Sequence, residues 1–338
     1  LTHVILLAGG SGERFWPWSR RSRPKPFLEL LGARPLLADA WSRARRLAPA
    51  SRVWVVVPKR LTAAVRHVLP GQLRSRTIVE PSPKDTAPAV ALACLRIARE
   101  DRDARVLVMP SDHAIGDDAI WAADARRALE EAQGGALVCI GVRPDGPRTA
   151  FGYLMCATRP RSRPVEISRF VEKPAAARAR RMIRTGRCLW NSGTFAWKVG
   201  AFLDELGRQR PDIRRAAEGA LASRTAAWKR LDGLSVDYAV LEGARRLRAV
   251  RLRTAWDDLG SWDVAVRHRA RPAAGRSVLV DAPGTATFSR DRFIAVIGVP
   301  GAIVVDAEDA VLVVARDRAQ EVRRVVRALS ALGRSDLL

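Results

Sequence analysis

Between Leu6 and Phe27 the chain reads LLAGGSGERFWPWSRRSRPKPF, an apolar strand end that runs into Ala8, Gly9, Gly10, Ser11 and Gly12 and then reaches Arg14 and Lys25. Three glycines after a strand permit positive φ and close backbone approach, so successive N–H groups can converge on phosphate oxygens. Arg14 offers a planar fork for phosphate, and Lys25 a compact positive charge beside a leaving pyrophosphate. The spacing is neither Walker A, which ends in Gly-Lys-Ser/Thr, nor the Rossmann Gly-x-Gly-x-x-Gly. Asp112 and Asp258 stand in loops far apart in sequence, and two such carboxylates can share one Mg²⁺ or another divalent cation whose remaining ligands are water and phosphate oxygens. Asp257 competes for the second position, and Asp112 by itself also reads as a cap or turn residue. Glu172 and Lys173 end an apolar strand, where a Glu-Lys pair is usually solvated. Asn191-Ser192-Gly193 reads locally as a turn, and His113 as a satisfied loop histidine. The cysteines Cys94, Cys139, Cys156 and Cys188 form no C-x-x-C pair. No Ser-His-Asp or Cys-His constellation is evident, which fits phosphate chemistry that needs no protein nucleophile.

The elements that must position these residues follow from periodicity. Strands are predicted at His3 to Ala8, Val53 to Val57, Thr77 to Glu80, Arg105 to Met109 and Ala136 to Val142. Helices are predicted between them at Pro35 to Leu47, Leu61 to Leu69, Ala87 to Arg99 and Asp117 to Gln133. This alternation implies an α/β fold with a doubly wound, mostly parallel sheet. Ligands then sit at the carboxyl ends of strands, which selects the loops after Ala8, Glu80 and Met109. Phe151 to Ala157 and Val165 to Val171 read as a meander. Helices are expected at Ala175 to Thr185, Val199 to Arg208, Asp212 to Ala222 and Val236 to Leu247. An Arg-, Ala-, Pro- and Gly-rich break at Arg269 to Arg276 separates a 1–270 domain from a small β-rich domain, 275–338, closed by a helix at Arg318 to Leu332.

Composition narrows the class. At 338 residues, 48% of them apolar, the chain can bury a large core and is not disordered. Its apolar runs, such as Val4 to Ala8 and Ala310 to Ala315, fall far short of the roughly 18 residues that a membrane helix needs. With no signal peptide before the first strand, a reduced, cytoplasmic protein is expected. All but six of the 59 basic residues are arginine, and they give a formal charge of +24 spread along the whole chain. A nucleic-acid binder concentrates charge in a stripe or tail, so no nucleic-acid partner is expected. The diffuse field would still favour small phosphorylated anions.

The motifs taken together resemble the sugar-nucleotide pyrophosphorylase family, and within it the bacterial mannose-1-phosphate guanylyltransferase (GDP-mannose pyrophosphorylase) branch. The resemblance rests on Gly9 to Arg14, the Phe-Trp-Pro-x-Ser-Arg run from Phe15 to Arg20, and Pro24-Lys25. Further segments agree in order: Glu80 to Ala89, Met109 to His113, Phe170 to Pro174, Trp190 to Phe195, Val236 to Glu242 and Trp256 to Trp262. It implies a Rossmann-like nucleotidyltransferase domain with a mixed sheet, followed by a short β-helical domain. It further implies GMP transfer from GTP to α-mannose-1-phosphate, by in-line attack at the α-phosphorus, giving GDP-mannose and pyrophosphate. Arg14, Lys25 and Lys173 are then the catalytic cations. Ala8, Gly9, Gly10, Ser11, Gly12, Glu80, Thr86 and Ser111 meet the nucleotide. Glu172, Lys173, Asn191 and Gly152 meet the sugar phosphate, and Asp112 and Asp258 hold Mg²⁺. Lys84 stands where the family commonly has arginine. Loss of Lys173 from a partly dry cleft is expected to cost about 2–5 kcal/mol. A homodimer through the C-terminal domain and a single activity, without a fused isomerase domain, complete the expectation. The same scaffold could serve another nucleotide or sugar-1-phosphate, such as a glucose or heptose phosphate, or a non-catalytic sugar-nucleotide-binding regulatory protein.

Overall fold

The computed structural model describes residues 1–69, 71, 76–268 and 277–338. The Arg269 to Arg276 break, and with it the boundary between the two expected domains, lies outside the described residues. Compactness divides the chain into one unit of Leu1–Gly9, Ala40–Ser111 and Ile115–Trp256, and a second of Gly10–Asp39, Asp112–Ala114 and Asp257–Leu338.

The first unit is built on nine strands: β1 (Thr2–Leu7), β2 (Val53–Pro58), β3 (Thr77–Glu80), β4 (Arg105–Pro110), β5 (Leu137–Val142), β6 (Tyr153–Cys156), β7 (Val165–Val171), β8 (Cys188–Lys198) and β9 (Leu247–Arg251). Their order in the sheet is β3-β2-β1-β4-β8-β5-β9-β7-β6. The four strands β3, β2, β1 and β4 run parallel. They are valine- and isoleucine-rich, as strands covered on both faces must be. Every residue of β2 is buried.

Two elements depart from the periodicity reading. β8, which holds the Asn191-Ser192-Gly193 triplet, is an 11-residue strand, antiparallel to both β4 and β5. The local turn signal yields because pairing on both sides satisfies the backbone polar groups, and the irregularity survives as a register shift opposite Ile140/Gly141. The helix expected over Val236 to Leu247 is instead one π-helical segment at Asp237–Leu241, with β9 beginning at Leu247. The sheet is therefore mixed.

Helices cover the sheet. Thr86–Ala98 starts where the Asp85 carboxylate accepts the Thr86 N–H at 2.7 Å, a cap that satisfies a helix-terminal donor. It packs with Val199–Gln209 and Pro211–Leu221 around Trp197, Phe202 and Trp228. Among the described residues no helix is long and apolar enough to cross a membrane.

In the second unit the C-terminal strands pair in parallel at a fixed interval: Ser277 with Ile294 and Ala286 with Ile303 are each 17 positions apart. Parallel pairing at such short range leaves no room for a crossover helix, so the chain winds as a coil of short strands. Ala302–Asp306 then pairs antiparallel with Val311–Ala315, and a helix follows at Val322–Ala331. The core of this unit gathers Phe15, Trp18, Trp262, Phe288 and Ile303.

Candidate active site

In the second unit, the aromatic residues of the N-terminal motif serve as anchors. Trp18 Nε1 donates to the Asp306 carbonyl at 2.8 Å, and Trp262 Nε1 to the Trp16 carbonyl at 3.0 Å. The Trp18 and Trp262 rings meet edge to face, with centroids 5.4 Å apart. Within the loop, Ser19 Oγ donates to the Ser11 carbonyl at 2.8 Å. Only Gly12 of the three glycines has positive φ, at +65°, where the sequence anticipated that freedom for all three. A Cβ on Gly12 would also stand 2.3 Å from the Lys25 Cβ, so glycine is required twice over. Gly9, Gly10 and Ser11 are exposed. Among the described residues, the N–H groups from Gly9 to Gly12 donate to no protein acceptor, which leaves them free for an anion.

Lys25 is the most desolvated cation of this unit's site, 7% exposed. Its Nζ lies 3.0 Å from Asp112 Oδ2 and donates to the Asp258 carbonyl. Arg14 Nη1 donates to the Gly260 carbonyl at 3.1 Å, in the turn that carries Asp258. Burial opposes ionisation of Asp112, but the Lys25 ammonium and then His113 outweigh it and hold the carboxyl below its usual range. His113 Nε2 stands 3.9 Å from Asp112 Oδ1. Asp258 goes the other way. Burial is the largest influence, and with repulsion from Asp257 and Asp112 it outweighs Lys25, so the carboxyl sits at about 6. Asp257 is occupied in the turn itself, accepting the Leu259 N–H at 2.8 Å, with His268 Nε2 at 3.5 Å.

The first unit carries the remaining candidates. Ala8 is fully buried, and its N–H donates to the Val56 carbonyl at 3.0 Å. Glu80, the last residue of β3, is buried near Gly9, where Oε2 would lie 3.9 Å from an added Cβ. Burial first, and Asp85 second, push its carboxyl up to about 7 against the pull of Arg60. Thr86 uses its hydroxyl to accept the Val236 N–H at 2.9 Å. Lys84 donates to the Lys229 and Leu231 carbonyls and so ties this loop down. Ser111 is fully buried, and its hydroxyl donates to the Leu7 carbonyl at 2.7 Å. Its N–H also donates to the Leu7 carbonyl, at 3.2 Å, so Ser111 ties the end of β4 to the end of β1.

Glu172, Asn191 and Gly152 do come together. The Asn191 N–H donates to the Gly152 carbonyl at 2.8 Å. A Cβ on Gly152 would stand 2.3 Å from Glu172 Oε2. That oxygen is buried and has no hydrogen-bond partner among the described residues, an acceptor waiting for a donor. Lys173 Nζ lies 3.2 Å from Glu172 Oε1, but its side chain is 58% exposed. The partly dry surroundings expected for this ammonium are therefore absent, and the energy attached to its loss must fall. Sequence reasoning passed over Asp237. Its Oδ1 accepts from Asn191 Nδ2 at 2.7 Å, while Asn191 Oδ1 accepts the Gly193 N–H at 3.1 Å. Both ends of the amide are thereby fixed. Burial and then Glu172 repulsion raise the Asp237 carboxyl to about 7. The only sequence signal was its place in the Val236 to Glu242 segment, with no spacing that linked it to Asn191.

The Nucleotidyl transferase family model matches residues 3–270, and a MannoseP isomerase/GMP-like beta-helix domain model matches residues 275–329. The xanthan biosynthesis protein XanB of Xanthomonas campestris pv. campestris is 36% identical over 348 aligned positions, covering 98% of this chain and 74% of its own length. A mannose-1-phosphate guanylyltransferase of Escherichia coli K12 is 33% identical, covering 99% of this chain and 74% of its own length. Among solved structures, a protein of Thermus thermophilus described as mannose-1-phosphate geranyltransferase superposes with a TM-score of 0.89 at 35% identity, over 97% of this chain and 99% of its own.

Proposed function

Because this chain belongs to the nucleotidyl transferase family, we propose that it transfers GMP from GTP to α-mannose-1-phosphate, releasing pyrophosphate. The observation that carries this reading is Lys25, buried against Asp112 and the Asp258 backbone beside open loop N–H groups. That arrangement suits a polyphosphate and supplies no nucleophile. None is needed, since a sugar phosphate is already ionised at neutral pH. Catalysis then consists of alignment and charge neutralisation. The loop N–H groups, Arg14 and Lys25 take the triphosphate oxygens and steady the departing pyrophosphate. Glu172 and Asn191 orient the sugar hydroxyls, and Lys173 attracts the attacking phosphate.

Asp112 and Asp258 would hold a divalent cation. Their oxygen donors suit Mg²⁺, and the strained ionisation of Asp258 would be relieved by a cation. Among the described residues no group of three or more His, Cys, Asp and Glu forms a metal cage, so the other positions fall to phosphate oxygens and water. When bound, Mg²⁺ supplies further neutralisation of the triphosphate. Asp257, engaged by Leu259 and His268, is the weaker claimant.

We assign guanine recognition to Glu80, whose carboxylate can accept from the two N–H donors on the base edge. The test is pyrophosphate release across a panel of nucleoside triphosphates with mannose-, glucose- and heptose-1-phosphates, run from pH 6 to 8 on wild type and Glu80→Gln. GTP with mannose-1-phosphate should lead the panel. Binding to the ionised form means that GTP affinity weakens as pH falls through about 7, and Glu80→Gln should flatten that slope and lose guanine preference. Equal turnover of ATP and GTP by wild type would sink the assignment.

Lys173→Ala should raise the KM for the sugar phosphate by about tenfold or less, because an exposed ion pair is worth about 1 kcal/mol at most. GTP binding should not change. Calorimetry with each substrate separately checks this, and a loss confined to GTP would place Lys173 on the wrong ligand.

The chain's location in a cell is proposed as the cytoplasm, where GTP is supplied. A homodimer through the C-terminal domain is supported by apolar side chains left exposed there, among them Phe293, Ile297, Val311 and Val313.

A further inference from the structure

The first unit contains a cavity of 440 Å³ that shares no residue with the groups assigned above. Arg143, Arg159, Arg161 and Arg251 line it, along with apolar side chains that include Ile183 and Leu189, and no carboxylate does. Elsewhere on this arginine-rich surface, guanidinium groups find acids: Arg208 meets Glu205, Arg210 meets Asp212 and Arg253 meets Asp124. The four cavity arginines make no side-chain ion pair or hydrogen bond among the described residues. Arg251 Nε is buried with no acceptor, and the Arg159 guanidinium lies over Gly186.

Four like charges gathered round one hollow repel each other, and a buried N–H without an acceptor costs free energy. A bound anion relieves both. Guanidinium forks bind phosphate oxygens in pairs, so four of them suit two phosphate groups. The volume lies within the range of about 300–1,000 Å³ found for small-molecule sites, and Ile183 and Leu189 offer an apolar wall to the remainder of a ligand. We propose that this cavity is a second anion site, which binds a small molecule carrying two linked phosphate groups and takes no part in the transfer reaction.

Inorganic pyrophosphate, titrated calorimetrically into the full chain, is the probe. Wild type should show two classes of site. A triple variant, Arg143→Gln with Arg159→Gln and Arg251→Gln, should lose one class or weaken it by at least about tenfold. Arg14→Ala should spare that class and weaken the other. A charge-matched control, Arg66→Gln with Arg99→Gln and Arg224→Gln at exposed positions, should bind as wild type does. Retention of the remaining class reports that the triple variant is folded. Should it not fold, Arg143→Gln alone, at an exposed position, must still weaken the cavity class. The proposal is overturned if wild type shows a single class, if the cavity variants bind like wild type, or if the control loses as much as the triple variant.

Discussion

Lys25→Ala should lower turnover by about 100- to 1,000-fold, the usual effect of removing one preorganised charge from a transition state. The fold should persist, because Phe15, Trp18 and Trp262 hold the loop through ring-to-ring packing, to which Lys25 adds only its ammonium 5.9 Å from the Phe15 ring centroid. Stability should nevertheless fall, since the substitution leaves the Asp112 carboxylate without the ammonium 3.0 Å away. The sign of its pH dependence follows from Asp112, whose folded-state value is depressed. Such a group stabilises the fold above its unfolded value of about 3.9, and that contribution is lost as pH falls through the lower, folded value. The stability gap separating wild type from Lys25→Ala should therefore be full at neutral pH and close in acid. Initial rates and denaturant melts at neutral and acid pH give both readings. Near-normal turnover would remove Lys25 from the phosphate site.

Asp112→Asn and Asp258→Asn should each abolish the response of turnover to Mg²⁺ and reduce its maximum by about 100-fold or more, because each withdraws a charged donor while keeping the side-chain shape. Asp257→Ala should cost about tenfold at most. Its carboxylate holds the Leu259 N–H at 2.8 Å, and its loss relaxes a turn in which Leu259 has φ of +48°. Mg²⁺ titrations of the initial rate separate the three. If Asp257 proved essential and Asp258 dispensable, the metal position would move one residue along the chain.

Non-glycine residues with positive φ include Asp85, Lys173 and Leu259. Each adjoins a candidate site residue: Thr86, Glu172 and Asp258 respectively. Such conformations persist only where the surrounding structure enforces them, and no propensity scale would have placed a lysine or a leucine there. They are legible only in the folded chain.

The parallel half of the sheet, its helices and the three strand-end loops were readable from sequence. Buried β-branched runs and amphipathic periods are local properties, and the carboxyl-end rule needs no more than their order. The candidate phosphate loop was named from a glycine cluster followed by Arg14 and Lys25, and the structure leaves its N–H groups open and sets Lys25 against Asp112. What only the tertiary structure decided was partnership. β8 is a strand because β4 and β5 flank it, although Asn191-Ser192-Gly193 alone signals a turn. Ser111 and Lys84 are spent on backbone carbonyls, whereas Asp237, unremarked in the sequence, fixes the Asn191 amide. Lys25 is desolvated and Lys173 is not, though both are lysines beside prolines in well-marked motifs. A side chain's charge is set by its type, but its strength is set by how much water and which opposing groups surround it, and those come from residues distant in sequence.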